Sequence, residues 1–250
     1  MLGRTMHGLA YDAAHDEIFV PQPFAQSILV FRGAVSGEEA PIRFVQGPLT
    51  RIDNPDKLEV DPVHDELYVP QGEEILVFPR GASGNVAPIR VMKMPAGYLV
   101  DAVTVDYVHN VVITTDRNVG NGKADRSAAP KLPRVMIFNR TDEGNVKPKG
   151  VIGGPKSLIT GTFGVRALSQ SGLLLLAMNG PRTVGPTDEA FVGVWSINDN
   201  GDVPPRWMIG GPYGLLKQPR GVDLDIKNKS VIVTDKVTNS VLTYHFPEIF

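Results

Sequence analysis

The stretch HDEIFVPQPFAQSILVFRGAVSGEEAPIRFV, which begins at His15, returns as HDELYVPQGEEILVFPRGASGNVAPIRVM from His64, 49 residues on. A fixed period of this size marks one supersecondary unit that cannot bury its own apolar face and stacks on copies of itself. The unit can be followed five times. Its first part is GLAYD, KLEVD, AVTVD, GVRAL and GVDLD, and its second EIFV, ELYV, VVIT, LLLL and SVIV. Its third is SILVF, EILVF, RVMIF, FVGVW and SVLTY, and a fourth follows in APIRFV, APIRVM, KPKGVI and PPRWMI. Each segment has four to six residues, is rich in β-branched and aromatic side chains, and is bounded by turn formers, which predicts strands. Gly37, Gly84, Gly144 and Gly201 recur between the third and fourth segments, where a hairpin requires a positive φ.

Four antiparallel strands per repeated unit make a β-propeller blade. The fold expected is therefore all-β: a five-bladed propeller of four-stranded antiparallel blades in a single domain over residues 1–250. Only four fourth strands are visible. The N-terminal LGRTM, with Arg4 aligned to Arg43, Arg90 and Arg206, is expected to supply the missing outer strand and close the ring. The alternative is a six-bladed ring shortened by truncation. The aromatic residues closing the third strands, Phe31, Phe78, Phe138, Trp195 and Tyr244, are expected between blades.

Composition narrows the function classes. The chain has 250 residues, enough to bury a core without staples, and no cysteine, which excludes disulfides and thiolate chemistry. A net charge of −2 lacks the basic footprint of a nucleic-acid binder. No run of 18 or more apolar residues spans a membrane, and no signal peptide opens the chain. A monomer is expected; an extracytoplasmic location with a leader removed is the guess for the compartment. Neither a G-x-S-x-G elbow nor a phosphate-binding loop is present. GVIGGP and MIGGP read as the repeated exit of the fourth strand.

Units of the form P-x-G-L-x-V-D, then D-E-[IL]-[FY]-V, then I-x-V-F resemble NHL repeats; Gln218–Asp225 and His7–Asp12 carry the likeness best. Such propellers serve as scaffolds, binding modules and enzymes, so the likeness specifies a fold rather than an activity. The residue before each inner strand is His7, Asp56, Asp101, Phe163 or Arg220. The gluconolactonase-like family is similar in placing Asn or Asp there for metal, and the peptidyl-hydroxyglycine lyase, an NHL propeller, places His. The resemblance implies a metal set of His7, Asp56 and Asp101 for Zn, Mn, Ca or Cu. The chain departs from both families at Phe163 and Arg220, and it lacks the lyase's three histidines.

Three positions on lie Ala10, Glu59, Thr104, Arg166 and Asp223. Carboxylates beside an imidazole suit a divalent ion. The same charges also fit internal ion pairs, Arg220 with Asp223 or Asp56 and Arg166 with Asp101 or Glu59, or an anion site on the two arginines. Residues 7 and 10 lie on opposite faces of an ideal strand, so both rings of residues face the channel only if the strand bends at its start. The long loops 117–133 and 179–190 fall at the same end. The expectation is a small molecule or peptide at this mouth, bound by Arg166, Arg220, Phe163 and Asp116. If the chain is an enzyme, it is a metal-dependent hydrolase, lactonase or lyase with Glu59 or Asp223 as base. A non-catalytic scaffold is the remaining reading. His15, His64 and His109 recur in a turn at the far end and are read as structural, and His245 as surface.

Overall fold

The computed structural model describes residues 8–116, 133–179 and 189–250. Five antiparallel sheets are arranged in a ring as a five-bladed β-propeller. The first blade is β1 (Ala10–Asp12), β2 (Glu17–Gln22), β3 (Ser27–Arg32) and β4 (Arg43–Gln46). The second is β5 (Glu59–Asp61), β6 (Glu66–Gln71), β7 (Glu74–Pro79) and β8 (Arg90–Lys93). The third is β9 (Val100–Asp106), β10 (Val111–Asp116), β11 (Val135–Asn139) and β13 (Gly150–Ile152), with the two-residue β12 (Gly144–Asn145) lying against β8. The fourth is β14 (Thr162–Leu168), β15 (Leu173–Met178), β16 (Phe191–Ser196) and β17 (Trp207–Gly210). The fifth is β18 (Pro219–Asp225), β19 (Ser230–Asp235) and β20 (Ser240–His245), three strands among the described residues. The proposed closing strand, residues 2–6, lies outside the described residues, as does His7.

Period-two alternation gives each sheet two apolar faces, and the core is the set of seams between blades. Four buried clusters serve blades one and two, two and three, three and four, and four and five. Phe78, Phe138 and Trp195 are fully buried in them, as their recurrence foretold. Phe31 and Tyr244, on the first and last blades, are only partly buried. Leu9, Tyr11 and Val241 are exposed, and the described residues form no buried cluster between the fifth blade and the first.

The hairpin glycines tie neighbouring blades together. Gly84 (φ 73°) donates its N–H to Phe44 O at 2.7 Å, and Gly201 (φ 84°) donates to Val151 O at 2.7 Å, each reaching back to the outer strand of the preceding blade. A left-handed turn lets the hairpin tip fold back in this way. The GGP exit has a mechanical role as well. Asp202 Oδ1 accepts the N–H groups of Lys156 and Ser157 at 2.7 and 2.9 Å, and a Cβ on Gly154 would lie 2.5 Å from the Asp202 carboxyl carbon.

At the end away from the inner-strand starts, each of the first three inner strands finishes in a buried aspartate, Asp12, Asp61 or Asp106, whose Oδ1 accepts two turn amides. Their second oxygens hold His15, His64 and His109 through Nδ1 at 2.7, 2.7 and 2.9 Å. The repeated histidine thus closes the turn.

Outside these turns sit two buried ionic trios. Glu17 accepts from Arg43 at 2.5 Å and from Arg80 of the next blade at 2.7 Å. Glu66 accepts from Arg90 at 2.9 Å and from Arg140 of the next blade at 2.7 Å. Arg206 does not belong to this set, which corrects the alignment made from sequence. Its N–H donates to Val194 O at 2.7 Å as that of Ile89 does to Val77 O at 2.9 Å, so Trp207, not Arg206, matches Arg90. One residue of shift turns a side chain to the other face, and Arg206 pairs instead with Asp199 at 2.6 Å.

Burial pushes the Glu66 carboxyl up, but hydrogen bonds from Arg90, Tyr68 and Arg140 outweigh it and hold the group at about 2. A depressed folded pKa contributes stability that is present above the ordinary value of 4.5 and is lost as pH falls toward 2. Glu66→Gln is therefore expected to lower the melting temperature at pH 7 and to flatten its fall between about pH 4.5 and 2. Glu66→Ala, which strands two guanidinium groups, is expected to cost about 3–5 kcal/mol in urea unfolding. Unchanged melting in both variants would show that the trio contributes nothing.

Candidate functional site

The inner strands begin around one mouth of the channel, and three of them begin with a β-bulge. Val100 pairs with Asp116 and Ala102 with Thr115, leaving Asp101 as the extra residue. Thr162 and Gly164 flank Phe163 in the same way, and Pro219 and Gly221 flank Arg220. A bulge bends the strand and re-aims one side chain. This is the bend that the parity argument required, and it falls on the residue before the small-residue column in the third, fourth and fifth blades. Hydroxyls replace ladder partners beside two of the bulges: Thr115 Oγ1 accepts from Ala102 N–H at 3.2 Å, and Thr234 Oγ1 from Gly221 N–H at 2.9 Å. The same registers place the stems of both long loops beside these bulges, since Asp116 and Met178 are the last residues of β10 and β15. The loops themselves lie largely outside the described residues.

Two layers of charge line the mouth. In the outer layer Lys57 Nζ donates to Asp101 Oδ2 at 2.5 Å and to Phe163 O at 2.7 Å, crossing from the second blade to the third and fourth. Arg220 stacks on the Phe163 ring, its Cζ 3.7 Å from the ring centroid. The Arg220 Nε is buried and has no hydrogen-bond acceptor among the described residues. Burial pushes the Arg220 pKa down, against the pull of Asp101. Asp56, which precedes Lys57 in the chain, is half-buried.

In the inner layer Arg166, on the fourth blade, reaches the second and the fifth. Its Nη1 donates to Glu59 Oε1 at 2.9 Å, and its Nε lies 2.9 Å from Asp223 Oδ1. Burial drives the Glu59 carboxyl up to about 7, Arg166 pulling it down and Asp223 and Asp61 pushing it further up. Thr104 is buried and accepts Ala167 N–H at 3.2 Å, so it joins inner strands. Ala10 is buried in the first seam.

Of the residues singled out in the sequence, Asp101, Phe163 and Arg220 meet in the outer layer, and Glu59, Arg166 and Asp223 in the inner one. Arg166 takes Glu59, one of the two partners expected of it. Arg220 feels Asp101, whereas Asp223 and Asp56 had been expected. Asp116 is buried at the end of β10, its carboxylate 4.0 Å from Arg134. Among the described residues no group of three or more His, Asp or Glu is placed to hold a metal, and Lys57 already lies on Asp101. Sequence reasoning passed over Lys57. Its signal was positional: it stands in a column otherwise occupied by Gly8, Ala102, Gly164 and Gly221. That column is small because inner strands approach closely there; a Cβ on Gly164 would lie 3.0 Å from Arg220 O.

Glu59 is expected to titrate near pH 7 when its carboxyl carbon is followed by NMR, and Arg166→Met to move that midpoint higher by removing the cation that lowers it. A midpoint near 4.5 in the wild type would contradict this account of the channel.

No family model and no curated protein matches the chain. Among solved structures, it is similar to Kuenenia stuttgartiensis hydrazine synthase, with a TM-score of 0.59 at 13% identity, over 94% of this chain and 63% of that one. The chain thus spans under two thirds of the neighbour's length. At this identity the likeness shows the fold alone, a β-propeller, and the NHL resemblance rests on the repeat residues.

Proposed function

We propose that this propeller binds a small carboxylate-bearing molecule at the channel mouth. One observation carries the reading: the Arg220 guanidinium, stacked on Phe163, has a buried Nε with no acceptor among the described residues. A buried donor without a partner is costly, and a planar anion satisfies a guanidinium through parallel hydrogen bonds. The Lys57 ammonium stands nearby, 5.9 Å from the same ring, but it is paired with Asp101, so the reading rests on Arg220. The bulge that aims Arg220 is part of a rigid strand, which holds a binding group better than a loop does.

Hydrolysis of an ester or lactone is a second reading, and the raised carboxyl of Glu59 favours it. A base with a pKa of about 7 sits near the pH of most reactions. In that case Arg220 holds the substrate's charge and Glu59 activates water. A divalent ion on His7, Asp56 and Asp101 is compatible with this chemistry only if Lys57 leaves Asp101.

Titration calorimetry with acetate, benzoate and citrate tests the proposal. Binding is expected in the wild type, at least tenfold weaker in Arg220→Lys and lost in Arg220→Ala, since an ammonium does not reproduce the planar fork. No binding of any of the three, or equal binding in Arg220→Ala, overturns it. Binding of Zn, Mn, Ca or Cu that is lost in Asp101→Ala would instead favour the metal site. Ester hydrolysis lost in Glu59→Gln would favour the enzyme.

A further inference from the structure

The hairpin between the third and fourth strands of a blade does the same work at three seams. Its tip, a left-handed glycine followed by Asn or Asp, lies along the outer strand of the preceding blade. Gly84–Asn85 lies on β4, Gly144–Asn145 on β8 and Gly201–Asp202 on β13. The glycine adds to the strand edge: Gly84 N–H donates to Phe44 O at 2.7 Å, and Gln46 N–H donates to Gly84 O at 3.1 Å. The next side chain caps the exit turn. Asn85 Oδ1 accepts Leu49 N–H at 2.8 Å, and Asp202 Oδ1 accepts Lys156 N–H at 2.7 Å. Under each tip the outer strand buries one apolar residue, Val45, Met92 or Ile152, at most 1% exposed.

The fourth blade carries the same seat, and no tip lies on it among the described residues. Trp207 pairs with Val194 as Arg43 does with Val30, so Met208 and Gly210 are the counterparts of Phe44 and Gln46. Among the described residues nothing bonds Met208 O, Gly210 N–H or Tyr213 N–H, the last being the counterpart of Leu49 and Lys156. A Cβ on Gly47 or Gly154 would lie 2.5 Å from the Asn85 or Asp202 side chain, whereas on Gly211, their counterpart, it would meet nothing within 4 Å. Ile209, the counterpart of Val45, is only half-buried, and Tyr213 is 97% exposed. One tip is spare as well. Gly37 of the first blade is left-handed at φ 62° and is followed by the exposed Glu38, and it adds to no outer strand among the described residues. Within one ring the fifth blade stands between this tip and β17, so a chain does not seat its own tip. We infer that the seat on β17 receives the Gly37–Glu38 tip of a second copy of this chain. The Glu38 carboxylate takes the Tyr213 N–H as Asp202 takes that of Lys156, and Gly37 adds to the β17 edge at Met208 and Gly210. The tip already holds the conformation that the contact needs, which lowers the cost of binding. Tip and seat are different surfaces, so the contact is head-to-tail. It is small, so the association is weak and reversible. This self-association replaces the monomer expected from sequence and does not involve the mouth.

Analytical ultracentrifugation from micromolar to submillimolar protein tests this. The mass of the wild type is expected to rise above the monomer value with concentration. Glu38→Lys on the tip and Met208→Pro on the seat are each expected to weaken association about tenfold or more, the worth of one charge-assisted hydrogen bond. Met208 is the counterpart of Val151, whose N–H meets Asn200 Oδ1 outside the ladder, so the proline removes no bond to β16. If Met208→Pro fails to fold, Met208→Lys takes its place. An equal mixture of the tip and seat variants is expected to form heterodimers with wild-type affinity, because one keeps the seat and the other the tip. Association that survives in both variants, or a mixture without heterodimers, overturns the inference. So does a wild type that stays monomeric: hydrogen-exchange protection of the Tyr213 amide would then assign the seat to residues 1–7 of the same chain, and its absence to a different protein.

Discussion

A blade of this protein has two apolar faces and can bury them only on its neighbours. That constraint organises the rest. Tyr68 and Leu67 are adjacent in β6, yet one belongs to the seam with the third blade and the other to the seam with the first. Each strand therefore serves two cores at once, and each seam needs devices that fix the angle between sheets. The hairpin glycines reach back to the preceding outer strand, the exit turns dock on the next hairpin, and the arginine trios join sheets near the outer rim. None of these devices lies near the channel, so the mouth is free to vary from blade to blade while the scaffold repeats.

Repetition makes departures informative. The five inner strands share a start, a small residue and an apolar middle, and the chemistry sits where they disagree. Lys57 breaks a column of glycine and alanine, and it reaches from the second blade to the fourth. Val111, Gly150 and Ile197 break the trio, and Val111 and Ile197 join the buried apolar cluster of their seam instead. Neither departure is visible from residue type alone, since a lysine on a strand and a valine in a core are both ordinary. They become visible once the repeats are placed in register.

The limits of reading register from letters are equally plain. Strand order, blade number and the buried aromatics of the middle blades followed from periodicity and turn residues, because those signals are local. The place of Arg206 did not. Its unit reads PPRWMI against APIRVM, and matching arginine to arginine slips the strand by one residue and turns it over. Only the hydrogen bond from Arg206 N–H to Val194 O settles the alignment. The bulges at Asp101, Phe163 and Arg220 escaped notice for a similar reason. A bulge adds one residue to one strand, and no residue type is obligatory there. Their need could be argued from parity, but their positions belong to the three-dimensional structure. The pairing of charges was the least legible step: long side chains choose partners across blades, as Arg166 does in reaching Glu59 from 107 residues away.

The charged groups at the mouth are placed by the same strands that build the scaffold. β14 carries both Phe163 and Arg166, and β18 carries both Arg220 and Asp223. The stacking of Arg220 on Phe163 and the ion pair of Arg166 with Asp223 are therefore made by one pair of neighbouring inner strands. Each strand starts with a bulge at the first member of its pair, and a bulge re-aims that side chain relative to the one three residues on. A shift of β18 against β14 changes both contacts together, so the two layers of charge are coupled through the backbone of two blades.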